Sequence, residues 1–281
     1  MTGAHQQVAI ITGGSQGIGA GLVDGYRKRG WAVVVNDLSI QPATEDAMVT
    51  VAGDISKPAT ADLLMSTAIE HFGRVDTLVN NAGVFISKPF TDYTAHDYEL
   101  ITSVNLAGFF WLTQRAIASM LERGHGHVVN ISAMVAERPD SRSPSVLAAL
   151  TKGGLAAAAK SLAIEYASRG IRVNAVAPGV IKAPSQPSDS YRDRLPPLGR
   201  LGQVSDIVDG ILYLESAPFI TGEVLFIDGG QNAGRLGLRA SAHFAVASCG
   251  YRADRGCDSC CFTWRLVSSA RTSSSPASRP S

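Results

Sequence analysis

Residues 8–19 read VAIITGGSQGIG and residues 32–36 read AVVVN, and these two stretches set the architecture of the chain. Each contains a short apolar run, and residues 18–29 between them have helical periodicity, so the order is β-α-β. Glycines between a buried strand and a helix permit a tight turn, and the helix N-terminus offers N–H groups to a pyrophosphate. The alternative is a plain turn without a ligand. We predict a dinucleotide-binding turn that consists of Gly13, Ser15, Gln16, Gly17, Ile18 and Gly19.

Further apolar runs alternate with helical stretches along the chain. The runs are residues 77–79, 127–131, 172–176 and 223–227, and the helical stretches are residues 59–72, 94–123, 145–169 and 204–214. Continuous apolar strands that alternate with helices are typical of a parallel sheet covered on both faces. We therefore predict an α/β fold of the Rossmann type: a doubly wound parallel sheet in three layers (α/β/α), within a single domain. Ligands bind such sheets at the carboxyl ends of the strands.

The composition changes abruptly near residue 233. We predict a dinucleotide-binding domain over residues 1–232 and a Ser/Arg-rich low-complexity tail over residues 233–281, either disordered or frame-shifted. All four cysteines lie in the tail, and no second pair has useful spacing, so we expect no metal site.

The net charge of +1 argues against a nucleic-acid partner and favours a small-molecule substrate. A body without cysteine fits a reducing, cytoplasmic location. Residues 1–7 have no signal-peptide pattern, and no apolar run approaches membrane-spanning length, so we expect no membrane partner.

Asp37 ends the second strand, about the distance after the glycines at which an acidic residue meets the adenosine ribose. A carboxylate there repels a 2′-phosphate. Gln16, Leu38 and Ser39 provide no cation to receive that phosphate. We therefore predict that the cofactor is NAD in preference to NADP; the alternative is that Asp37 is a solvated turn residue.

Several separate elements together resemble the short-chain dehydrogenase/reductase family, over Val8 to about Gln231. They are the glycine spacing of residues 12–19, Gly53-Asp54-Ile55, Asn80-Asn81-Ala82-Gly83, Asn105, Ser132, Lys152 and Pro178-Gly179. The resemblance implies that Asp54 and Ile55 meet the adenine and that Asn81, Ala82 and Gly83 line the cofactor cleft. It also implies that Lys152 holds the nicotinamide ribose and that Pro178, Gly179 and Ile181 touch the nicotinamide end. Members of the family commonly form homodimers or homotetramers through their long helices, which implies the same here.

The family's proton donor is a tyrosine four residues before the lysine, and here that position is Ala148. An alanine cannot titrate. One interpretation is an NAD(P)-dependent oxidoreductase for a small or medium apolar alcohol or carbonyl substrate, with a non-standard proton donor. Ser132 would then polarise the carbonyl, Lys152 fix the ribose and Asn105 support a water chain. The alternative is a catalytically impaired dinucleotide-binding protein that acts as a sensor or an assembly subunit.

Water or another side chain could replace the tyrosine. Ser145, Thr151, Tyr93 and Tyr191 are candidates, and Tyr191 belongs to residues 183–201, which we predict to form a substrate lid. Ser145 is more simply a helix N-cap. His125 and His127 flank Gly126 without a carboxylate partner, so we expect them on a surface loop rather than in a site.

Overall fold

The computed structural model describes residues 6–182 and 195–234. They belong to the first of the two units into which the chain divides, Met1–Gly237. Tyr191, most of the predicted lid and nearly all of the predicted tail lie outside the described residues.

One eight-stranded sheet forms the centre of the described structure, in the order β3-β4-β2-β1-β5-β6-β7-β8. All neighbouring strands pair in parallel except β3, which is antiparallel to β4. The strands are β1 (Val8–Thr12), β2 (Ala32–Asp37), β3 (Thr44–Glu45), β4 (Met48–Ala52), β5 (Thr77–Asn80), β6 (Gly126–Ile131), β7 (Ile171–Pro178) and β8 (Val224–Ile227). The order reverses beside β1, so the carboxyl ends of β1 and β5 flank the switch point of a doubly wound sheet.

Six α-helices cover the two faces of the sheet. They are α1 (Gly17–Lys28), α2 (Pro58–Phe72), α3 (Ala95–Thr102), α4 (Gly108–Arg123), α5 (Val146–Tyr166) and α6 (Val204–Ser216). Residues of α2, α4 and α5 form one buried cluster with the sheet, and residues of α1 and α6 form another with its opposite face. The predicted α/β fold, with three layers, is confirmed.

Alternation along the strands explains why both clusters exist. Within β1, Ile10 belongs to the cluster under α2, α4 and α5, whereas Ala9 and Ile11 belong to the cluster under α1 and α6. Successive side chains of a strand point to opposite faces, so a strand buried on both sides is apolar at every position. Each fully buried Ile contributes about 1.5–3 kcal/mol to stability.

Two local features differ from the sequence expectation. The stretch predicted as one helix over residues 94–123 is interrupted by a π-helical segment, Ser103–Ala107, between α3 and α4. The interpretation of His127 as a surface-loop residue is wrong, because His127 lies within β6 and its exposed fraction is 1%. The buried neighbours that surround it come from distant parts of the chain, which sequence spacing does not reveal.

The helical stretch Val146–Arg169 is long and apolar enough to cross a membrane by length and composition, alone among the described residues. Its residues Leu155, Ala159 and Ala163 are buried, and Ala159 and Ala163 belong to the core cluster on the sheet. It therefore has the character of a core helix.

Candidate active site

The turn from β1 into α1 has the geometry of a cradle for a dinucleotide. Gly13 and Gly17 have φ values of 65° and 55°, which favour glycine. A Cβ on Gly19 would lie 2.0 Å from the Gly13 carbonyl oxygen, so this position accepts only glycine without a shift of the turn. Gln16, the N-cap of α1, makes no side-chain capping bond, and the first turn has no acidic residue. The first N–H groups of the helix therefore stay available to an anion.

Asn81 and Ala82 lock the loop after β5 onto this turn. The Asn81 Nδ2 donates to the carbonyl oxygens of Thr12 (2.8 Å) and Gly13 (2.9 Å). The backbone N–H groups of Asn81 and Ala82 donate to Thr12 Oγ1 at 3.1 and 3.0 Å. The two loops at the switch point are thus one rigid unit, and the structure brings these predicted residues together.

Asp37 lies beside the glycine turn and contacts Ser15. Its Oδ2 accepts hydrogen bonds from Ser15 Oγ at 2.6 Å and from the Ser15 N–H at 3.2 Å. Partial burial raises the pKa of Asp37, but bonds from Ser15 and from the N–H groups of Leu38 and Ser39 outweigh it and leave the pKa below its ordinary value. The carboxylate is therefore charged at neutral pH.

Asp54 and Ile55 follow β4 at the same edge. Asp54 Oδ1 accepts the Ser56 N–H at 2.9 Å, which closes a local turn, and Lys57 rather than Asp54 is the N-cap of α2. Ile55 is buried against Gly108 of α4, where a Cβ would lie 3.1 Å from its Cγ2. Ile55 thus anchors this loop in the core.

Asn105 lies in the π-helical segment and is buried. Its Oδ1 accepts the Val84 N–H at 2.8 Å, and its Nδ2 donates to the Val84 carbonyl at 3.0 Å and to Thr151 Oγ1 at 3.0 Å. The side chain therefore joins the loop after β5 to α5. The extra residue that a π turn inserts is frequently found at functional sites.

Lys152 extends from α5 into the edge of the sheet. Its Nζ donates to the Ile131 carbonyl at 2.7 Å and lies 2.8 Å from the point where a Cβ on Gly83 would be. Burial alone lowers the pKa of Lys152 to about 8. An ammonium has three donors, so two remain for hydroxyl groups of a ligand, which fits a ribose.

Ser132 follows the carboxyl end of β6, beside α5, and its role in polarising a carbonyl stays a prediction. Its side chain is buried, and its Oγ donates at 2.8 Å to the main-chain carbonyl of Lys152. A hydroxyl has one proton to donate, so this bond commits it to α5. Ala133, the extended residue that follows, has no hydroxyl to take its place.

The segment after β7 is held by the end of β8. The Gly179 N–H donates to the Ile227 carbonyl at 3.0 Å, and the Val180 N–H donates to Gln231 Oε1 at 3.2 Å. A Cβ on Gly179 would lie 2.6 Å from the same oxygen. Pro178 ends β7 at this point, and Ile181 forms an isolated bridge with Gly202.

The candidate substitutes for the tyrosine are occupied elsewhere or not described. Three hydroxyls donate to carbonyl oxygens: Thr151 to Leu147 (2.9 Å), Tyr93 to Ile86 (2.8 Å) and Ser145 to Ser143 (3.0 Å). Ala148 itself is fully buried, in a cluster with Ile101, Leu147, Val84 and Tyr93. None of these three hydroxyls has a proton free for a substrate in this structure.

Known proteins share this arrangement of elements. Residues 13–232 match the family model described as enoyl-(acyl carrier protein) reductase. The chain is 33% identical to (2S)-[(R)-hydroxy(phenyl)methyl]succinyl-CoA dehydrogenase subunit BbsD of Thauera aromatica, over 82% of this chain and 98% of that protein.

Solved structures that hold a nicotinamide dinucleotide have a similar fold. The 3-ketoacyl-(acyl-carrier-protein) reductase of Brucella melitensis complexed with NADH has a TM-score of 0.74 and 32% identity, over 80% of this chain and 98% of that chain. The structure of ElxO with NADP bound has a TM-score of 0.74 and 28% identity, over 81% of this chain and 99% of that chain.

The chain belongs to the short-chain dehydrogenase/reductase family. It is therefore an oxidoreductase that acts on CH–OH or C=O groups, and its cofactor is a nicotinamide dinucleotide. The glycine turn and the uncommitted donors of Lys152 in this dehydrogenase/reductase fit that cofactor.

Two residues of the site were missed by sequence reasoning. Thr12 accepts the two N–H groups that join the β1 and β5 loops, and Gln231 holds the segment after β7. Thr12 directly precedes the glycines, so its position was a usable signal. Gln231 lies 51 residues from its partner, Val180, so no local pattern could have identified it.

Proposed function

We propose that this short-chain dehydrogenase/reductase uses NAD in preference to NADP and interconverts a small or medium apolar alcohol and its carbonyl compound, with a proton donor other than tyrosine. The observation that carries the proposal is the charged Asp37 at the glycine turn. Relatives bind either dinucleotide, so the preference has to come from this chain's own residues.

The surroundings of Asp37 support NAD. Its carboxylate would accept bonds from the 2′- and 3′-hydroxyls of the adenosine ribose and repel a 2′-phosphate. The next residues, Leu38 and Ser39, carry no positive charge, and Ser15 already pairs with the carboxylate.

The opposite end of the cleft supports hydride transfer. In this proposal Lys152 holds the nicotinamide ribose through its two uncommitted N–H groups, and Asn105 fixes the loop that Lys152 contacts. Ser132 acts as a positioning residue, because its bond to the Lys152 carbonyl orients the helix from which the ammonium extends. Pro178, Gly179 and Ile181 line the nicotinamide end.

Calorimetry with NADH and NADPH tests cofactor choice, and nicotinamide absorbance with a panel of alcohols and ketones tests turnover. We expect tighter binding of NADH and measurable oxidation or reduction of at least one apolar compound. Tighter binding of NADPH would refute the NAD assignment. Binding of NADH without turnover across the panel would refute the proposed activity on small or medium apolar alcohols and carbonyl compounds.

The same proposal includes a homodimer or homotetramer that forms through the long helices. Large apolar side chains are exposed on them: Leu100 on α3, Phe110 on α4 and Leu150 on α5. Light scattering after gel filtration should give at least twice the 29.5 kDa of one chain, and a monomer at micromolar concentration would contradict it.

A further inference from the structure

We propose that Lys152 is itself the group that gives and takes the proton during hydride transfer. It would replace the tyrosine that the family has at the position of Ala148. The inference rests on the proposed oxidoreductase function and assigns its missing proton donor to this chain's own lysine.

The position of the ammonium group is the first support. Lys152 lies one helical turn after Ala148, so both positions share one face of α5. Its Nζ reaches the carboxyl end of β6 at Ile131 and lies against Gly83 in the loop that follows β5. Position 148 carries only a methyl group, which is buried against Val84 and Tyr93, so no phenol extends from α5 at this point.

The second support is that the described hydroxyls of the site, which do not include Tyr191, are already committed. Ser132, Thr151, Tyr93 and Ser145 each donate their one proton to a main-chain carbonyl. Lys152 has three protons, and one is donated to Ile131. The other two would face the ribose hydroxyls in the proposed complex, so Lys152 is the titratable group among the described residues of the site whose protons are not all committed to the protein.

The electrostatic surroundings are the third support. Nζ donates to the Ile131 carbonyl on β6 and lies beside Gly83 after β5, and the neutral amide of Asn105 in the π segment also borders Gly83. No carboxylate of the described chain forms an ion pair with Lys152, so burial lowers its pKa to about 8 without compensation. A group that exchanges its proton near neutral pH is suited to general acid–base catalysis.

When bound, the nicotinamide dinucleotide would supply the hydride chemistry, giving or in reverse taking a hydride with its electron pair at the substrate carbon. In the direction of reduction the C=O π pair moves onto the oxygen, and the Lys152 ammonium gives that oxygen a proton through a ribose hydroxyl or one water, which passes its own proton on as it accepts the one from Lys152. The neutral amine then takes a proton from solvent. In the direction of oxidation the neutral amine accepts the hydroxyl proton.

The wild-type pH profile is the first test. With NADH and a panel of ethyl acetoacetate, cyclohexanone and benzaldehyde, we expect the reduction rate to fall as the pH rises through about 8, because the ammonium loses its proton. With NAD and the corresponding alcohols, the oxidation rate should rise over the same interval. A flat profile for a substrate that turns over would overturn the assignment.

Lys152→Arg is the decisive variant, since arginine keeps the charge and the donors but does not deprotonate in this range. We expect the NADH dissociation constant to stay within a few-fold by calorimetry. Single-turnover hydride transfer should fall by about 10²–10⁴-fold and lose its pH dependence near 8, since that is the usual contribution of a general acid.

Lys160→Arg, at an exposed position of the same helix, is the matched control and should behave as wild type. A readout independent of turnover is the ¹³C signal of lysine Cε in the NADH complex. The chain has only six lysines, so the signal absent from Lys152→Arg identifies residue 152. It should titrate with a midpoint near 8, and the wild-type pH profile remains the test if the variant folds poorly.

The outcomes separate the two hypotheses. If wild type turns over and Lys152→Arg keeps both the rate and the inflection, Lys152 only positions the cofactor and the inference is wrong while the proposed function survives. If wild type binds NADH and reduces no compound at any pH, both the proposed function and the inference are wrong.

Discussion

Asp37 is the residue to which we assign the proposed choice between NAD and NADP. Its Oδ2 accepts a hydrogen bond from Ser15 Oγ at 2.6 Å, and the carboxylate remains ionised. A ligand hydroxyl would therefore meet an acceptor, and a ligand phosphate would meet a like charge. Removing a hydrogen bond to a charged group typically costs about 1.5–3 kcal/mol.

Asp37→Ala should therefore weaken NADH binding by about 10- to 100-fold, the equivalent of that free energy. NADPH binding should stay the same or tighten, because the repulsion of its 2′-phosphate is removed. Calorimetric titration of both nucleotides measures the ratio. Asp24→Ala, on the exposed side of α1 where Asp24 pairs with Lys28, is the control and should keep the wild-type ratio. An unchanged ratio in Asp37→Ala would mean that Asp37 is a solvated turn residue.

The turn between β1 and α1 is the element on which the proposed cofactor binding depends. A methyl group on Gly19 would lie 2.0 Å from a backbone oxygen and 2.7 Å from Asn81 Nδ2, so backbone rather than a flexible side chain would have to move. The same shift would disturb the bonds from Asn81 that join this turn to the β5 loop.

Gly19→Ala is expected to lower the free energy of unfolding by about 1–3 kcal/mol, as overpacking usually does. It should also weaken NADH binding at least ~10-fold, since a shift of the turn misaligns the N–H groups that face the pyrophosphate. Gly154→Ala on α5 is the matched control, because its Cβ would lie at an ordinary 3.7 Å from Leu106 Cδ2. Urea unfolding and fluorescence titration distinguish the two variants; equal behaviour would show that the turn tolerates a side chain.

The regular elements of this fold were predictable because their patterns are local. The apolar runs at β1, β2, β6 and β7 and the glycine turn are visible in the sequence. The short antiparallel strand β3 was not predicted, since its two exposed residues, Thr44 and Glu45, have no apolar pattern.

The candidate site was predictable in position but less so in detail. The sequence places Ser132 and Lys152 at the same edge, yet the direction of the Ser132 hydroxyl depends on the distance of α5 from β6. Likewise the π-helical segment around Asn105 depends on bonds with Val84, 21 residues away. Tertiary contacts of this kind leave no periodic signal.

At the scale of the whole molecule, a buried polar network ties together five elements near the amino ends of β5, β6 and β7. Glu215 Oε2 accepts from Tyr26 OH (2.8 Å) and Thr77 Oγ1 (2.9 Å) and lies 3.1 Å from His127 Nδ1. Asn174 Nδ2 lies 3.1 Å from His127 Nε2. Because the Asn174 Oδ1 is held by the Glu223 N–H, the amide nitrogen faces the ring and requires an unprotonated Nε2.

Burial lowers the pKa of His127 below its ordinary value, with the Glu215 carboxylate opposing that shift. The unfolded chain therefore binds a proton at this histidine at a higher pH than the folded chain does. The contribution of this histidine to the free energy of unfolding is fully present above about pH 6.5, the pKa of histidine in the unfolded chain. It declines as the pH falls below that value. The decline is at most about 1.4 kcal/mol per pH unit for one proton.

Urea unfolding at pH 7.5, 6.5 and 5.5 should thus show a falling free energy of unfolding in the wild type. His127→Gln should be less stable at pH 7.5 by about 1–3 kcal/mol, because buried partners lose their bonds, but its stability should fall less steeply with acid. His125→Gln, a change in the loop before β6, should retain the wild-type slope. Equal slopes in all three proteins would show that His127 protonates as readily in the fold as in the unfolded chain, and that the network carries a charged histidine despite its burial.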